Sequence, residues 1–592
     1  MPVMAGPFAA ADFEKLVPKD KKLSAEWIRL LTERGEPEWL RGENLKHIGM
    51  PVGGICCGQV YLSGDGRLWH WDIFNQGVKT ASNGPHYKKP MPTDSGIGLG
   101  FALRTRSAGK ETVRTLDRSG FSEIRFRGAY PMGFVDYADD YCPVDVSLEA
   151  FSPFCPLEVD DSSLPLTVMR YTVRNPSATP VEVSLASRLP NPVLQHSGPD
   201  GAAEFVNTLG HRNGATYVHY TVGTNAEEPV AEARPDVVFE DFESETYENW
   251  TVEGTAFGKG PVLAAKLPKY QRKMGAKGKR LVNSHNTRKG QNAGKGDADV
   301  GVMTSEPFTI ERRYIYALVG GGANAKRVSL QLLIGDKVVA KLAGKNKNAM
   351  TRESFTVGQY EGQTARLRIV DSATGSWGNI GVDHIVFSDQ SANGNEPLEQ
   401  RADMGDMTLA VLDAGESVFG AAATPDDGSD PFFDAGAETA RSATKDRPVG
   451  AVSKTLSLQP GEEATVSFAV AWRFPNQRMP LPDIKDKGHY YANRFPSSLA
   501  VVMQHAADHD AAYARTRLWH DTWYDSTLPH WLLDRTFINT SILASGTCLR
   551  FESGRLWGWE GVGWGCGDTV CGSQKARGHP YGRPAECRPL AT

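Results

Sequence analysis

The chain has 592 residues, which is too long for one hydrophobic core and predicts about three domains. Its 40% hydrophobic and 23% charged residues are ordinary for a globular protein, and 61 Gly with 36 Pro favour strands joined by turns. The formal net charge of -5 gives no electrostatic reason to expect nucleic acid as a partner. The sequence contains no run of about 18 apolar residues, so it predicts no membrane span.

Residues 1–44 are interpreted as a leader followed by a helix around residues 25–31. Val3 and Ala5 are small residues at the two positions that a signal peptidase reads. One interpretation is an export signal clipped by a late start codon, which predicts a periplasmic or secreted protein. The other is a short disordered leader on a cytoplasmic protein. The sequence leaves both open.

Alternation of apolar and polar residues predicts strands over much of the chain. Residues 144–151 and 166–173 show it, as do 452–458 and 464–470, which are joined by a Gln-Pro-Gly turn. The last two segments predict a hairpin or neighbouring strands. We therefore expect a mainly β fold, with an N-terminal β-sandwich formed by residues 45–234 and 393–480.

Residues 235–392 have the character of an inserted module. The segments 237–243 and 382–387 are both strand-like, and strands that begin and end a module commonly pair in a jelly roll. The basic, Gly-rich stretch 266–296 lacks the interleaved aromatic residues of a nucleic-acid surface. We interpret it as a solvated loop within a jelly-roll module.

The periodicity becomes helical after about residue 480. Apolar and aromatic residues recur every three or four positions from Ser497 to Tyr524, and Ser497 or Ser498 is placed to cap that helix. A second helix is predicted over residues 529–544, with Pro529 at its start and Gly546 after its end. Residues 481–563 are therefore expected to form an all-α region.

Several motifs, taken in order along the chain, resemble glycoside hydrolase family 116, which includes non-lysosomal glucosylceramidases and bacterial β-glucosidases. They are 48–55 (IGMPVGGI), 64–75 (GDGRLWHWDIFN), 148–154 (LEAFSPF), 161–165 (DSSLP), 470–476 (VAWRFPN) and 528–532 (LPHWL). The resemblance implies an N-terminal β-sandwich followed by an (α/α)6 catalytic barrel. It also implies a retaining mechanism with a Glu nucleophile and an Asp acid/base.

Glu560 is the candidate nucleophile. It lies between Trp residues and a Gly-rich turn, and an indole ring offers an apolar face to a sugar. It also falls where the family's Leu-Glu-Gly nucleophile motif lies, with Trp559 in place of Leu. A retaining glycosidase needs a second carboxyl group about 5–5.5 Å away, and no acid/base can be assigned from the sequence.

Residues 564–592 depart from the family pattern and show no helical or strand period. The family would continue here into an aromatic-rich helix, so we interpret this tail as aberrant and the helices before it as the start of an incomplete barrel. A reading-frame shift near residue 564 is the hypothesis. On this interpretation the 592 residues are predicted to give no turnover.

The inserted module resembles, more loosely, the β-sandwich modules attached to fructan-processing hydrolases. The similar segments are 241–243 (DFE), 254–258 (GTAFG), 319–322 (VGGG), 371–378 (DSATGSWG) and 382–383 (VD). Sugar modules combine stacking aromatic rings with a few convergent polar groups. The candidate carbohydrate-binding residues are Glu243, Arg366, Trp377 and Asp383, with a structural role as the alternative for each.

Other candidates are weaker, and no cofactor or metal site is predicted. Cys566, Cys571, His579 and Cys587 fit no standard zinc spacing. Residues 69–72 (WHWD) either line a sugar cleft or pack between domains. The predicted function is a glycoside hydrolase acting on a β-glucoside or related glycoside, and the alternative is a non-catalytic carbohydrate-binding protein. The sequence does not predict an oligomeric state.

Overall fold

The computed structural model describes residues 23–75, 96–198, 203–224, 234–271, 273–285, 296–389, 397–412, 415, 417–424, 433, 436–442, 447–477, 486–546 and 548–558. The chain divides into two compact units. The first unit combines Met1–Glu227 with Pro397–Thr592, and the second is Glu228–Glu396. Both are mainly β, with antiparallel pairing throughout the described strands. None of the described helices combines the length and apolar character needed to cross a bilayer.

The first unit begins with helix α1 (Ala25–Thr32), whose capping residue Ser24 accepts the Trp27 N–H at 3.1 Å. A 3-10 helix (Gly42–His47) and the short helix α2 (Val159–Ser162) lie among the strands that follow. These strands are β1 (Leu40–Arg41), β2 (Met50–Pro51), β3 (Gln59–Leu62), β4 (Leu68–Asp72), β5 (Gly100–Ser107), β6 (Lys110–Thr115), β7 (Glu123–Ala129), β8 (Met132–Ala138), β9 (Asp145–Phe151), β10 (Leu166–Arg174), β11 (Val181–Pro190), β12 (Ala203–Arg212) and β13 (Ala215–Thr224).

The second unit contains twelve described strands and the 3-10 helices Ala264–Lys266 and Gly358–Tyr360. The strands are β14 (Val237–Glu240), β15 (Trp250–Gly254), β16 (Val262–Leu263), β17 (Arg280–Asn283), β18 (Gly301–Ser305), β19 (Phe308–Thr309), β20 (Tyr314–Gly321), β21 (Val328–Ile334), β22 (Lys337–Leu342), β23 (Lys347–Thr356), β24 (Thr364–Asp371) and β25 (Ile380–Ser388).

The chain then returns to the first unit, which also holds the 3-10 helices Leu398–Gln400 and Ile538–Ala544. The strands are β26 (Asp406–Leu412), β27 (Val418–Thr424), β28 (Thr439–Ser442), β29 (Val449–Leu458), β30 (Glu463–Arg473), β31 (Cys548–Arg550) and β32 (Leu556–Gly558). The helices are α3 (Tyr491–Arg494), α4 (Ser498–Ala507), α5 (His509–Tyr524) and α6 (His530–Thr536).

Two sheets of the first unit share one hydrophobic core. The ten-stranded sheet has the order β1-β7-β8-β9-β10-β30-β26-β13-β12-β28, and the five-stranded sheet has the order β27-β29-β11-β5-β6. Phe101 of the five-stranded sheet lies 5.4 Å from Tyr171 and 5.5 Å from Phe468 of the ten-stranded sheet, between ring centroids. Burial of such rings stabilises the arrangement because each removes a large apolar area from water.

Residues 452–458 and 464–470 are predicted to form a hairpin or neighbouring strands. Both strands exist, but they do not pair with each other, so the hairpin alternative is wrong. β29 belongs to the five-stranded sheet and β30 to the ten-stranded sheet. The intervening turn crosses from one sheet to the other, and Gly461, with φ +81°, donates its N–H to the carbonyl of Asn175. Two alternating segments joined by a short loop can belong to different sheets, because both sheets contribute apolar side chains to the same core.

The first helical segment after residue 480 is divided. The Ser497 hydroxyl accepts the Ala500 N–H at 3.2 Å, which confirms it as the cap of α4. α4 ends at Ala507, and α5 begins at His509 after Asp508 leaves helical geometry. The second predicted helix is α6 followed by the 3-10 turns of Ile538–Ala544.

The second unit consists of two six-stranded sheets around its own core. Their orders are β16-β17-β25-β20-β23, with β14 also on β25, and β15-β18-β24-β21-β22, with β19 also on β24. β14 pairs with β25 through Val237 opposite Phe387, so the predicted pairing of the module ends is confirmed. The loop predicted over 266–296 includes strand β17, which forms because Val282 is buried beside β25.

Candidate functional site

The hairpin β31–β32 leads towards the candidate nucleophile. Leu549 pairs with Trp557 and Cys548 with Gly558, and the Trp557 side chain is buried. Glu560 follows Gly558 closely in sequence and lies outside the described residues. The geometry available for this site is therefore that of the residues around the open end of the hairpin, where Cys548 and Gly558 pair.

Gly546, just before β31, contacts two polar side chains of the first unit. Its N–H donates to Gln59 Oε1 at 2.6 Å, and a Cβ built on it would lie 2.8 Å from Asp72 Oδ2. Gln59 and Asp72 are paired residues of β3 and β4. A side chain at position 546 would require the Asp72 carboxyl group to shift, so glycine allows the present close approach.

Asp72 has an unusual pKa within this cluster. It is half-buried, and burial raises the pKa of its carboxyl group to about 6. Burial favours the neutral acid, so a fraction of Asp72 is protonated near neutral pH and able to donate a hydrogen bond. A raised pKa in a partly accessible carboxyl group is a mark of functional sites.

The other residues of the 64–75 motif hold the fold together. Trp69 donates its indole N–H to the Ile48 carbonyl at 3.2 Å, and His70 stacks on Tyr61 at 4.8 Å. Asn75 donates to the carbonyls of Ala402 and Phe474 at 3.0 and 2.9 Å. The Asn75 contacts join the two halves of the first unit, so the motif combines structural residues with Asp72.

His489 lies beside this motif. Its Nε2 is 2.9 Å from Asn75 Oδ1, and its ring stacks on Tyr491 at 4.7 Å. Burial lowers the pKa of His489 to about 4, so the ring is neutral at physiological pH. A neutral imidazole held in this way orients Asn75 and contributes no charge.

Two of the four candidate residues in the inserted module are brought together. Glu243 Oε1 accepts the N–H groups of Lys279 and Arg280 at 2.7 and 3.0 Å, and Asp383 Oδ2 accepts the Lys277 N–H at 2.8 Å. Both carboxylates therefore bind the backbone of the segment that enters β17. These contacts favour a structural role for Glu243 and Asp383, which was the alternative to sugar binding. They also explain why the two side chains lie close to each other.

Asp383 is fully buried, and its Oδ1 has no hydrogen-bond partner within the part of the chain that the structure describes. Burial raises the pKa of Asp383 to about 6, and the nearby Glu243 and Asp241 act in the same direction. The backbone N–H groups of Lys277 and His384 act against this rise because they stabilise the carboxylate.

Arg366 and Trp377 lie elsewhere. Arg366 is exposed on β24, opposite Leu333 of β21, in the sheet that does not contain Asp383. Trp377 is in the loop before β25, with φ +62° and a side chain that is 39% exposed. The four candidates do not form a single cluster, and Trp377 is the one that offers a free aromatic face.

Sequence reasoning missed a buried polar relay in the second unit. His285 places Nδ1 2.6 Å from Asp297 Oδ1 and Nε2 2.7 Å from the Tyr270 hydroxyl. His285 is 4% exposed and Tyr270 52% exposed, so the relay runs from the interior to the surface. These spacings match no motif. The described residues contain no group of three His, Cys, Asp or Glu side chains that could hold a metal ion.

Part of the chain is similar in sequence to known proteins. Residues 49–257 match the family model described as beta-glucosidase 2, glycosyl-hydrolase family 116 N-term. The chain is also 33% identical over 159 residues to the ecdE protein of Aspergillus rugulosus, which is described as a glycosyl hydrolase. Both matches are to proteins described as glycosyl hydrolases.

The matched family model is that of the N-terminal domain of glycosyl hydrolase family 116, and it covers residues 49–257. This confirms the resemblance seen in the first motifs. The match continues past Glu228 into the start of the second unit. The alignment with the Aspergillus protein covers 26% of this chain and 21% of that relative, so the chain matches about a fifth of the relative's length.

Two solved structures show distant likeness. A protein from the human microbiome described as a kojibiose phosphorylase is 7% identical, covers 83% of this chain and 39% of its own, and has a TM-score of 0.27. A cyclase from Fischerella sp. TAU is 13% identical, covers 31% of this chain and 96% of its own, and has a TM-score of 0.17.

Proposed function

We propose that the protein is a retaining β-glucosidase of the family 116 type, with Glu560 as nucleophile and a β-sandwich before its catalytic region. The observation that carries the proposal is the match of residues 49–257 to the N-terminal domain model of that family. The order of the later motifs, up to Glu560, supports it. The substrate class is a β-linked glucoside, including a glucosylceramide-like one.

The chemistry assigns one role to Glu560. Its carboxylate attacks the anomeric carbon, the bond to the leaving oxygen breaks, and a covalent glycosyl-enzyme forms, which water then hydrolyses. An ordinary leaving oxygen needs a proton from a second carboxyl group. The sequence assigns no acid/base, and the predicted lack of turnover follows from that missing proton donor. It therefore concerns glycosides whose leaving oxygen must be protonated, whereas release of an activated leaving group needs Glu560 alone.

Leaving-group dependence tests this proposal. A 2,4-dinitrophenyl β-glucoside departs without protonation, so the full chain should release dinitrophenolate from it, whereas an unactivated alkyl β-glucoside should stay intact. Glu560→Gln should abolish the release, because the amide cannot attack. Glu552→Gln, an exposed residue of the β31–β32 turn, is the matched control and should keep it. Equal rates for Glu560→Gln and the parent would refute the nucleophile assignment.

The second candidate is a non-catalytic carbohydrate-binding protein, which the exposed Trp377 ring favours. A ring face left in solvent at a loop with positive φ suits stacking on a sugar. On this candidate, no aryl glucoside is cleaved. Saccharide binding by the full chain then quenches or shifts tryptophan fluorescence in a way that Trp377→Ala removes and Arg366→Ala does not.

A further inference from the structure

The outer face of the ten-stranded sheet carries rows of side chains that oppose one another across the strands. One row is covered by helices. Glu149 of this row accepts from the Tyr513 hydroxyl at 3.0 Å and from Arg517 at 2.8 Å, both in α5. Strand register places the row's members side by side: Arg127, Phe134, Glu149, Arg170 and Ser467.

The neighbouring row faces a groove. Its members, in the order in which the register pairs them, are Arg125, Asp136, Ser147, Thr172 and Thr465. The first four line a cavity of about 570 Å³, together with Arg41, Glu123, Asp145, Arg174 and Glu463 at its rim. This volume lies within the range of small-molecule sites, which is about 300–1,000 Å³.

The groove is elongated because the row members that line it lie on four adjacent strands, from β7 to β10. Neighbouring strands lie about 4.8 Å apart, so these four members span roughly 14 Å. A floor of that length suits an extended ligand of several units that lies across the strands. A compact single-ring ligand would leave most of the row uncontacted.

The groove presents both hydrogen-bond donors and acceptors. The positive and negative charges of its lining residues nearly cancel. Arg125 and Asp136 form an ion pair at 2.6 Å, and the hydroxyls of Thr172 and Thr465 are 2.9 Å apart. Three guanidinium groups face four carboxylates among the lining residues. Because carboxylates are in slight excess, a polyanion gains nothing here, whereas a neutral ligand rich in hydroxyl groups finds partners of both kinds.

An aromatic ring stands at one end of the row. Trp39 lies beneath the Arg125 guanidinium, which is 4.4 Å from the ring centroid. This contact fixes the plane of Arg125, since a guanidinium held over an indole loses little freedom when it binds a ligand. Arg125 is therefore preorganised to donate to a pair of neighbouring hydroxyl groups.

We propose that this groove binds a neutral oligosaccharide of several sugar units along the row from Arg125 to Thr172. The choice of a saccharide over other neutral polar ligands rests on the proposed function, and the position of the groove rests on the sheet alone. The site is built from β1, β7, β8, β9 and β10 and from the start of β30, and it includes no residue of the β31–β32 hairpin.

The test is calorimetric titration of a β-linked gluco-oligosaccharide of four units into the full chain carrying Glu560→Gln, so that no ligand is consumed. Ser147→Tyr fills the floor of the groove and should weaken binding at least about tenfold. Ser457→Tyr, at an exposed position of β29 in the other sheet, is the matched control and should leave the affinity unchanged. Circular dichroism checks that both variants fold.

A second variant guards against misfolding of Ser147→Tyr. Thr172→Val keeps the shape of the strand and removes one hydroxyl, so it should weaken binding by a few-fold. Unchanged affinity in both groove variants, no binding to the parent, or tighter binding of an acidic oligogalacturonate would overturn the proposal. Failure of the proposed function shows separately in dinitrophenyl glucoside cleavage, which needs only one sugar unit and an intact Glu560.

Discussion

Two carboxylates on the ten-stranded sheet and two in the second unit are held in different ways. On the ten-stranded sheet, Asp136 and Glu149 bind guanidinium groups, at 2.6 Å from Arg125 and 2.8 Å from Arg170. In the second unit, Glu243 and Asp383 accept backbone N–H groups instead. A carboxylate held by side chains can exchange partners for a ligand, whereas one held by backbone fixes the chain. Residue type alone therefore does not distinguish a residue that binds a ligand from one that stabilises the fold.

The largest expected effects come from the two cores, one in each unit. Trp472 is fully buried in the first core and donates its indole N–H to the Cys57 carbonyl at 2.8 Å. Leu330 is fully buried in the second core. Trp472→Ala should cost about 3–5 kcal/mol and Leu330→Ala about 2–5 kcal/mol, because each leaves a cavity.

Hydrogen exchange read by mass spectrometry checks this prediction strand by strand. Trp472→Ala should increase exchange mainly in β26 and β30, and Leu330→Ala mainly in β21 and β24. Ser457→Ala, at an exposed position, is the control and should change neither pattern. Exchange that rises first in the strands of the other core would contradict the division of the chain into two cores.

The next effect is on the pH dependence of the second unit. Burial raises the pKa of Asp383 to about 6, above its value in an unfolded chain. The folded state therefore binds the proton more tightly, so this group favours folding at low pH, and that contribution falls as pH rises from about 4 to about 6. Asp383→Asn should raise the unfolding free energy at pH 7 by up to about 3 kcal/mol.

Thermal unfolding at pH 4 and pH 7 measures this effect. The Asn side chain can still accept the Lys277 N–H, so the variant should gain stability at pH 7 and little at pH 4. Asp236→Asn, at an exposed position of the same unit, is the control. A loss of stability at pH 7 would show that the Asp383 charge is needed in the folded state.

The smallest predicted effect compares the covered and open rows of the ten-stranded sheet. Glu149 binds Arg170, Tyr513 and Arg517, so Glu149→Gln should cost about 1–3 kcal/mol. The Arg125–Asp136 pair is partly exposed to solvent, so Asp136→Asn should cost less than about 1 kcal/mol.

Urea unfolding of the two variants at low and high salt measures the difference. Glu149→Gln should lower the midpoint clearly at both salt concentrations. Asp136→Asn should have a small effect that shrinks as salt rises, because screening weakens exposed pairs. Equal losses would mean that the open row is as important for the fold as the covered one, and would weaken its interpretation as a ligand groove.

Much of the strand content could be predicted from the sequence. The segments 144–151 and 166–173 become β9 and β10 because a half-buried strand alternates its side chains between core and solvent. The pairing of β14 with β25 could be predicted because both segments stand at the module ends. The Ser497 cap could be predicted because a hydroxyl before a helix satisfies a free N–H.

Other features depend on tertiary contacts that no local pattern records. The end of α4 near Asp508 has no Gly or Pro nearby, and the Asp508 carboxylate instead pairs with Arg515 at 2.7 Å. The change of sheet between β29 and β30 follows from filling a shared core. The backbone partners of Glu243 and Asp383 lie in a segment that the sequence presented as a solvated loop.

The sequence predicts some candidate site residues and gives no signal for others. Asp72 lies in an aromatic motif that is visible in the sequence, but its raised pKa comes from burial in the folded chain. The approach of Gly546, which is far away in sequence, is equally a property of the fold. Gln59 was missed because a lone Gln in a strand carries no signal. Glu560 lies outside the described residues, so its role stays a proposal that rests on the family motif and on the match of residues 49–257.

Covalent trapping tests the central claim most directly. The full chain is incubated with a 2-deoxy-2-fluoro-β-glucoside that carries a dinitrophenyl leaving group, and the peptides are mapped by mass spectrometry. The fluorine slows hydrolysis of the glycosyl-enzyme, and the activated leaving group needs no acid, so the account predicts a fluoroglucosyl group on Glu560. Labelling of another residue, or no labelling in a folded chain, would contradict it.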